Sequence, residues 1–413
     1  LKVSILTLGC KTNLSESDLL KAAALGAGYQ LVELTEHPDI CIINTCTVTS
    51  KADYQSRQLL RRAIKAGAKK IIVTGCYAQL EPETLQQLSA NLKIIPINKK
   101  NLIYKEINLI PSSTLSNIPR ARPFVKIQEG CDFRCSYCIV WKARGRARSR
   151  DIEEIVNEVK VLEESGYLEV VLTGTHIGLY GKDLKHKVSL YDLIVNILKK
   201  TKKIRIRLSS LESHEIDDRL IELLQEKRFC RHLHIPIQSG DDKILSLMKR
   251  PYTVKDYLKT IDRILAYEPE TSIGTDVIVG FPGEGIREFL NTLTLIEKTS
   301  FSYLHIFPYS PRPKTLAAKL PGQVSKEEKK KRVSILKDVD KEKRKKYREK
   351  FIEKTLQCVY EKQAEEGMYL LRADNYIKLY VSNNNHFSLD SLVLIKCKDV
   401  YKDGLLGEPI VNM

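Results

Sequence analysis

Three cysteines within nine residues, Gly130-Cys131-Asp132-Phe133-Arg134-Cys135-Ser136-Tyr137-Cys138, carry the most specific chemistry in the chain. Their C-x₃-C-x₂-C spacing lets one short loop turn three sulfurs to one point. Thiolates are the ligands that iron–sulfur clusters use. A 4Fe–4S cube has four irons, so three thiolates leave one iron open to a small chelating ligand. Two other readings stand beside this one. A zinc site normally asks for four protein ligands, and the next cysteine, Cys230, is far away in sequence. Reduced core cysteines are the second alternative. A dispersed set has its own logic. Cys10, Cys46 and Cys76 each follow a short apolar run that reads as a strand, over residues 2–8, 40–43 and 70–73. In open parallel sheets the carboxyl ends of strands line the ligand crevice. Cysteines at three such ends can converge on a second cluster, although each taken alone reads better as a core residue on a turn. Cys41 lies inside its strand and reads as core.

The elements that must position these sulfurs follow from periodicity. Helical patterns over 17–25 and 54–66 separate the first strands, which predicts a doubly wound parallel sheet, an α/β domain. The proline- and serine-containing stretch 111–123 reads as a linker. From about residue 120 to 325, helical patterns such as 152–165 alternate with strands over 169–172, 203–208, 232–237, 272–279 and 303–307. That alternation predicts an open, partial (β/α) barrel. Leu172-Thr173-Gly174-Thr175, Leu208-Ser209-Ser210-Leu211-Glu212, Ile237-Gln238-Ser239-Gly240 and Val279-Gly280-Phe281-Pro282-Gly283-Glu284 fall at strand ends. Each alone also reads as an ordinary turn or a solvated strand end. Ser325-Lys326-Glu327-Glu328 has the form of a capping box opening a long charged helix, with Val333, Leu336, Val339 and Tyr347 as a sparse apolar stripe. Short strands over 355–360, 369–373, 377–381 and 391–398 complete the chain.

Composition narrows the partners. At 413 residues the chain holds two or three domains. Nothing in it reads as a signal peptide or a membrane span, and Leu1 in place of an initiator Met suggests a trimmed start. Ten cysteines without an export signal predict a reducing, cytoplasmic compartment and metal ligation rather than disulfides. The net charge of +17 suggests a polyanion such as nucleic acid, or an anionic membrane surface. The charge is clustered: residues 326–350 carry +7 and residues 142–150 carry +5. Lys142, Arg144, Arg146, Arg148 and Arg150 fall at every second position, and an extended chain would project them from one face towards a phosphate backbone. Pairing with acidic side chains is the alternative. Trp141 is either a base-stacking platform or packing. The segment from residue 351 is net −2, so any RNA contact there rests on shape and local groups.

Taken together, the motifs resemble the radical S-adenosylmethionine (SAM) methylthiotransferases. The compact triplet resembles the radical SAM signature, with Tyr137 at its aromatic position. Thr7-Leu8-Gly9-Cys10-Lys11-Thr12-Asn13, Asn44-Thr45-Cys46-Thr47-Val48-Thr49 and Thr74-Gly75-Cys76 resemble that family's amino-terminal domain. The last segment resembles the small RNA-binding TRAM β-barrel. The resemblance implies a methylthiotransferase domain over 1–112, a radical SAM domain with the basic helix over 120–350, and a TRAM-like domain over 351–413. It implies two 4Fe–4S clusters, one on Cys131, Cys135 and Cys138 and an auxiliary one on Cys10, Cys46 and Cys76, the six cysteines being ligands rather than nucleophiles. SAM would fill the open iron of the first cluster, with Gly174 admitting its methionyl moiety and Ser210, Glu212 and Gln238 binding its polar groups. One SAM would methylate a sulfur on the auxiliary cluster and a second would generate the radical that activates the substrate. The implied substrate is tRNA, with no membrane or DNA partner, and with a reductant and a sulfur donor that the sequence does not identify. The residues around Cys10 and Cys46 resemble the branch acting on threonylcarbamoyladenosine at position 37, 3′ of the anticodon. The alternatives are sister enzymes acting on isopentenyladenosine or on a ribosomal protein. Arg144 is a candidate partner for the substrate carboxylate, with a salt bridge within its loop as the other reading, and Arg146, Arg148 and Arg150 are candidates for tRNA phosphates. Trp141 and Lys314 depart from the family, where proline and glycine are frequent; the second departure puts the local turn in doubt.

Overall fold

A computed structural model of the chain describes residues 1–110, 120–383 and 391–410. Most of the 111–123 linker lies outside the described residues.

The first sheet contains β1 (Lys2–Thr7), β2 (Gln30–Leu31), β3 (Ile40–Thr45), β4 (Lys70–Gly75) and β5 (Leu92–Ile94), all parallel in the order β2-β1-β3-β4-β5. Successive β3 residues feed opposite cores. Ile40 and Ile42 pack with Leu20 and Ala24, while Cys41 and Ile43 pack with Leu60 and Ala63. A strand buried on both faces needs a continuous apolar run, and the helices Lys11–Gly26 and Ser50–Lys65 supply its cover. The Thr49 hydroxyl caps the second helix by accepting from Ala52 N at 3.1 Å. Cys41 is core, as its place within the strand predicts.

The central region has two sheets. One comprises β6 (Phe124–Glu129), β7 (Arg148–Ser149), β8 (Glu169–Gly174) and β9 (Arg205–Leu208), ordered β7-β6-β8-β9. The other is β10 (His232–His234), β11 (Ser272–Val279) and β12 (Tyr303–Pro308) in that order. All pairs except β6/β7 are parallel. The sheets meet where Leu211 N donates to His234 O at 2.9 Å, which makes a partial barrel. Its two faces differ sharply. Val170, Leu172, Ile206, Leu208, Leu233 and Val277 pack on the surrounding helices. The alternate residues Thr173, Arg205, Arg207, His232, His234 and Tyr303 are also buried but polar. A period-two strand thus gives an apolar convex face and a polar concave one.

The carboxyl-terminal segment closes into a five-stranded barrel, β13 (Thr355–Gln363), β14 (Met368–Ala373), β15 (Lys378–Ser382), β16 (Val393–Tyr401) and β17 (Gly404–Pro409), ordered β13-β14-β15-β17-β16. The last strand has no counterpart in the sequence reading. Buried polar contacts join this barrel to the central region. Glu169 accepts from Arg205 Nε at 2.6 Å and Arg207 Nε at 2.7 Å, and the two guanidinium groups donate onward to the carbonyls of Gln357, Arg372, Ala373 and Asp374. The basic helix runs from Lys326 to Glu349, with Ser325 Oγ accepting from Glu328 N. The Glu328 side chain pairs with Arg332. Leu336 and Tyr347 are buried, and Val333 and Val339 pack beside Leu336's core.

Candidate functional site

The radical-type triplet sits on a loop that glycine makes possible. Gly130 adopts φ +79°, and a Cβ there would lie 1.9 Å from Arg146 O. The loop is strapped to the barrel by Ser136, whose Oγ donates to Leu247 O at 2.7 Å and whose N donates to Met248 O at 3.0 Å. Each sulfur meets a nitrogen. His176 Nδ1 is 3.2 Å from Cys131 Sγ, Arg250 Nη1 donates to Cys135 Sγ at 3.3 Å, and Val140 N donates to Cys138 Sγ at 3.4 Å. The three thiols lie within electrostatic reach of one another. Three convergent sulfurs, each with a polar neighbour on the protein side, suit a thiolate-ligated cluster with one exposed corner.

The dispersed triplet also converges. Cys10, Cys46 and Cys76 are within electrostatic reach of one another and line the same cavity. Glycines allow the approach. A Cβ on Gly9 would lie 2.9 Å from Cys46 Sγ, and one on Gly75, at φ +95°, would lie 2.3 Å from Thr45 O. Ser56 Oγ donates to Cys46 O at 3.0 Å and accepts from Cys46 N at 3.3 Å.

This cavity, of about 570 Å³, lies between the first sheet and the concave face of the partial barrel. Gly174 and Ser210 line it opposite the dispersed cysteines, as do His234, Asp276 and His305. Asp276 Oδ1 lies 2.8 Å from His234 Nε2 and 3.1 Å from His305 Nδ1. Burial alone would raise the Asp276 carboxyl, but hydrogen bonds from these imidazoles hold it below the usual carboxylate range. Tyr376, from the carboxyl-terminal barrel, completes the wall and stacks on His232 at 4.2 Å between ring centroids.

The remaining expected residues divide. A Cβ on Gly174 would lie 2.8 Å from Gln128 O, so only glycine fits there. Gln238 lies four residues past β10, in the left-handed region at φ +69°, its N donating to Asp276 O. Tyr137 packs edge-on against Phe281. The Glu212 carboxylate is engaged by Arg250, next to Cys135.

The five basic residues 142–150 do not share one extended face. Lys142 and Arg144 belong to the helix Val140–Arg144, and only Arg148 lies in a strand. Arg144 is buried and donates to Glu129 at 2.7 Å, to Glu16 at 3.0 Å and to Asn13. Of the two readings of Arg144, the ion pair is the one seen: two carboxylates of the chain hold it, one of them in the first domain, and it lines the same cavity as the dispersed cysteines. Arg150 donates to Glu158 at 2.7 Å. Arg146 pairs with Asp132 at 3.5 Å and Arg148 reaches Glu129 at 4.0 Å and Arg144 O at 3.3 Å, yet 92% and 53% of their side chains stay exposed. Trp141 is half-buried, with Arg134 and Lys142 each 5.3 Å from its ring centroid. Lys314 makes an interdomain tie, donating to Leu80 O at 2.9 Å and pairing with Glu81 at 2.8 Å.

The comparisons with known proteins agree with this arrangement. Residues 125–296 match the Radical SAM superfamily, and residues 2–95 match uncharacterized protein family UPF0004. The chain is 39% identical to the threonylcarbamoyladenosine tRNA methylthiotransferase MtaB of Aquifex aeolicus, over 92% of this chain and 96% of that protein. It is 36% identical to the protein of the same name from Bacillus subtilis, over 91% and 89%. It is also 32% identical to the tRNA-2-methylthio-N(6)-dimethylallyladenosine synthase of Thermotoga petrophila, over 98% and 96%. Among solved structures, the radical SAM methyltransferase TsrM from Kitasatospora setae shares the fold, with a TM-score of 0.58 and 14% identity over 77% of each chain. Among the described residues, no helix is long and apolar enough to cross a membrane. The chain belongs to the radical SAM methylthiotransferase family and is an enzyme of that class, for which the family implies SAM and a 4Fe–4S cluster.

Proposed function

We propose that this enzyme methylthiolates carbon 2 of threonylcarbamoyladenosine at position 37 of tRNA, consuming two SAM molecules. In this reading Cys131, Cys135 and Cys138 hold the SAM-binding cluster, and Cys10, Cys46 and Cys76 hold an auxiliary 4Fe–4S cluster. The observation that carries the reading is the single cavity lined both by the dispersed cysteines and by the barrel strand ends at Gly174 and Ser210. When bound, these groups supply the reductive bond cleavage, hydrogen-atom abstraction and transferable sulfur that amino-acid side chains lack.

The chain's own residues do the positioning. His176 and Arg250 orient Cys131 and Cys135 from outside the loop. Gly174 leaves backbone room for a methionyl group, and Ser210 and Gln238 offer polar groups for SAM. Glu212 acts by fixing Arg250. Walls drawn from all three parts of the chain restrict water around the reacting carbon. Arg146 and Arg148 face solvent and suit phosphates, while Arg144 and Arg150 hold the scaffold. The domain limits expected from sequence, 1–112, 120–350 and 351–413, serve this division of labour, and a tRNA substrate implies a cytoplasmic enzyme.

Isopentenyladenosine is the second reading, because a synthase for the dimethylallyl-type product is 32% identical over nearly the whole chain. The deciding assay supplies reconstituted enzyme with tRNA carrying either modification, followed by nucleoside mass spectrometry. The expected product is 2-methylthio-threonylcarbamoyladenosine. Turnover of only the isopentenylated tRNA would overturn the substrate assignment.

A further inference from the structure

With Arg144 held by Glu16 and Glu129, the cavity needs another source of positive charge if its substrate is anionic. Lys11 supplies it. It follows Cys10 directly and opens the 16-residue helix Lys11–Gly26, whose first turn holds no acidic residue and whose N-cap side chain makes no capping bond. The positive end of that helix is thus uncompensated by side chains. Lys11 is half-buried and lines the cavity beside Cys10 and Tyr376. Among the described residues, no carboxylate lies within ion-pair distance of its ammonium and none of their hydrogen bonds uses it.

The neighbouring cations are already matched. Arg122, Arg205 and Arg207 converge on Glu169, and Arg372 pairs with Glu361 at 2.8 Å. Those arginines lie behind the cavity wall with Glu169 and Glu361, while the wall itself carries the Asp276 carboxylate, held by His234 and His305. Burial bears most on Lys11, and Tyr376, Arg207, Arg122 and Glu169 act on it across the wall, the tyrosine and the glutamate favouring its charge and the two arginines opposing it. An anion entering here meets the Lys11 ammonium, which no carboxylate among the described residues engages.

We propose that the Lys11 ammonium is the carboxylate-recognition group of the cavity, selecting purines whose N6 substituent is anionic. This rests on the threonylcarbamoyladenosine reading and names the residue that enforces it. In adenine, C2 and C6 flank N1, so the modified carbon and the N6 substituent share one edge of the base. A group reading the substituent therefore belongs next to the group serving C2, as Lys11 is next to Cys10. A neutral substituent would leave the ammonium partly desolvated without a partner, so the same residue also rejects it.

The test uses the anaerobically reconstituted full chain, as wild type, Lys11→Met and Lys11→Arg. Binding is measured to anticodon stem-loop RNAs carrying threonylcarbamoyladenosine, isopentenyladenosine or unmodified adenosine at position 37, and iron is counted for each protein. The wild type is expected to prefer the threonylcarbamoylated RNA over the unmodified one by about ten- to a hundredfold, the range of one charge-assisted hydrogen bond. Lys11→Met should abolish the preference with iron content unchanged, and Lys11→Arg should restore part of it. A preference retained in Lys11→Met would overturn the proposal. So would a Met variant that loses about half its iron, which would make Lys11 a support of the auxiliary cluster. A wild type that favours isopentenylated RNA would overturn the substrate reading itself, and this proposal with it.

Discussion

The six cysteines proposed as cluster ligands were legible as residues because thiolate chemistry constrains type and spacing together. A nine-residue loop can be read without its fold, whereas Cys10, Cys46 and Cys76 needed the added premise that strand ends in a parallel sheet converge. What surrounds the sulfurs was not legible. Arg250 lies 115 positions from Cys135 and His176 lies 45 from Cys131, and nothing local in either segment announces a sulfur partner. The partners of Arg144 were hidden for a similar reason: a salt bridge was one of its two readings, but Glu16 is 128 positions away and outside the loop. At this scale the cluster assignment is open to direct measurement. Replacing Cys131, Cys135 and Cys138 by Ala should leave about half of the iron and sulfide of the reconstituted wild type, because the second triplet is built entirely from other elements. Full retention in a folded triple variant would remove the assignment.

At the scale of elements, the sequence resolved those with one strong period. Ser272–Val279 matches its expected limits, and the three cysteine-bearing strands differ only at their ends. Phe124–Glu129 escaped because half of it is polar for structural reasons. Gln128 is buried, its amide donating to Gly130 O at 2.8 Å and its Oε1 accepting from His176 N at 2.9 Å, so the strand reads as a loop while it braces the cysteine loop. The alternating Arg205-Ile206-Arg207 marked a strand, but not that its charged face is buried. That face makes the joint between the two barrels testable. Burial alone would raise the Glu169 carboxyl, yet Arg207, Arg205 and Arg122 hold it well below the usual range. A carboxylate held low in the folded chain adds stability above its unfolded pKa of about 4.3 and loses that contribution as pH falls towards the folded value. Glu169→Gln should therefore destabilise the chain at neutral pH by about 3–5 kcal/mol, since it leaves buried arginines unpaired. It should also flatten the acid limb of stability below about pH 4.3. Thermal melts across pH check both, and an unchanged acid limb would mean that other carboxylates govern it. The arm 142–150 allows a second test. Arg146→Gln with Arg148→Gln should weaken tRNA binding and reduce its salt slope by about one unit per lost phosphate contact. Arg150→Gln alone should leave the slope unchanged while lowering stability, because Glu158 holds that side chain.

At the scale of the whole molecule, the cavity has no owner. The first sheet brings Cys10, Cys46 and Cys76, the partial barrel brings its strand ends, and the last barrel brings Tyr376. The docking contacts explain how three units hold one space. Arg312 donates to Asp53 at 2.5 Å and to Thr47 at 2.9 Å, Lys126 reaches Glu16 at 3.1 Å, and Arg120 reaches Asp18 at 2.9 Å. The division of chemistry does not follow the shared space. The residues on the sulfurs of Cys131, Cys135 and Cys138 all come from the central region, at His176, Val140 and Arg250. In the proposed reading, the central region alone supplies the ligands of its cluster and the groups on their sulfurs. A chain with Cys10, Cys46 and Cys76 replaced by Ala should still cleave SAM when supplied with a reductant, at a rate within a few-fold of wild type. It should transfer no methylthio group to tRNA. Both products can be followed in one anaerobic assay, 5′-deoxyadenosine by chromatography and the modified nucleoside by mass spectrometry. The triplets lie on separate elements, so the variant should keep the thermal transition of wild type apart from the stabilisation that the lost metal supplied. If a folded variant of this kind lost SAM cleavage along with transfer, the two triplets would form one interdependent centre.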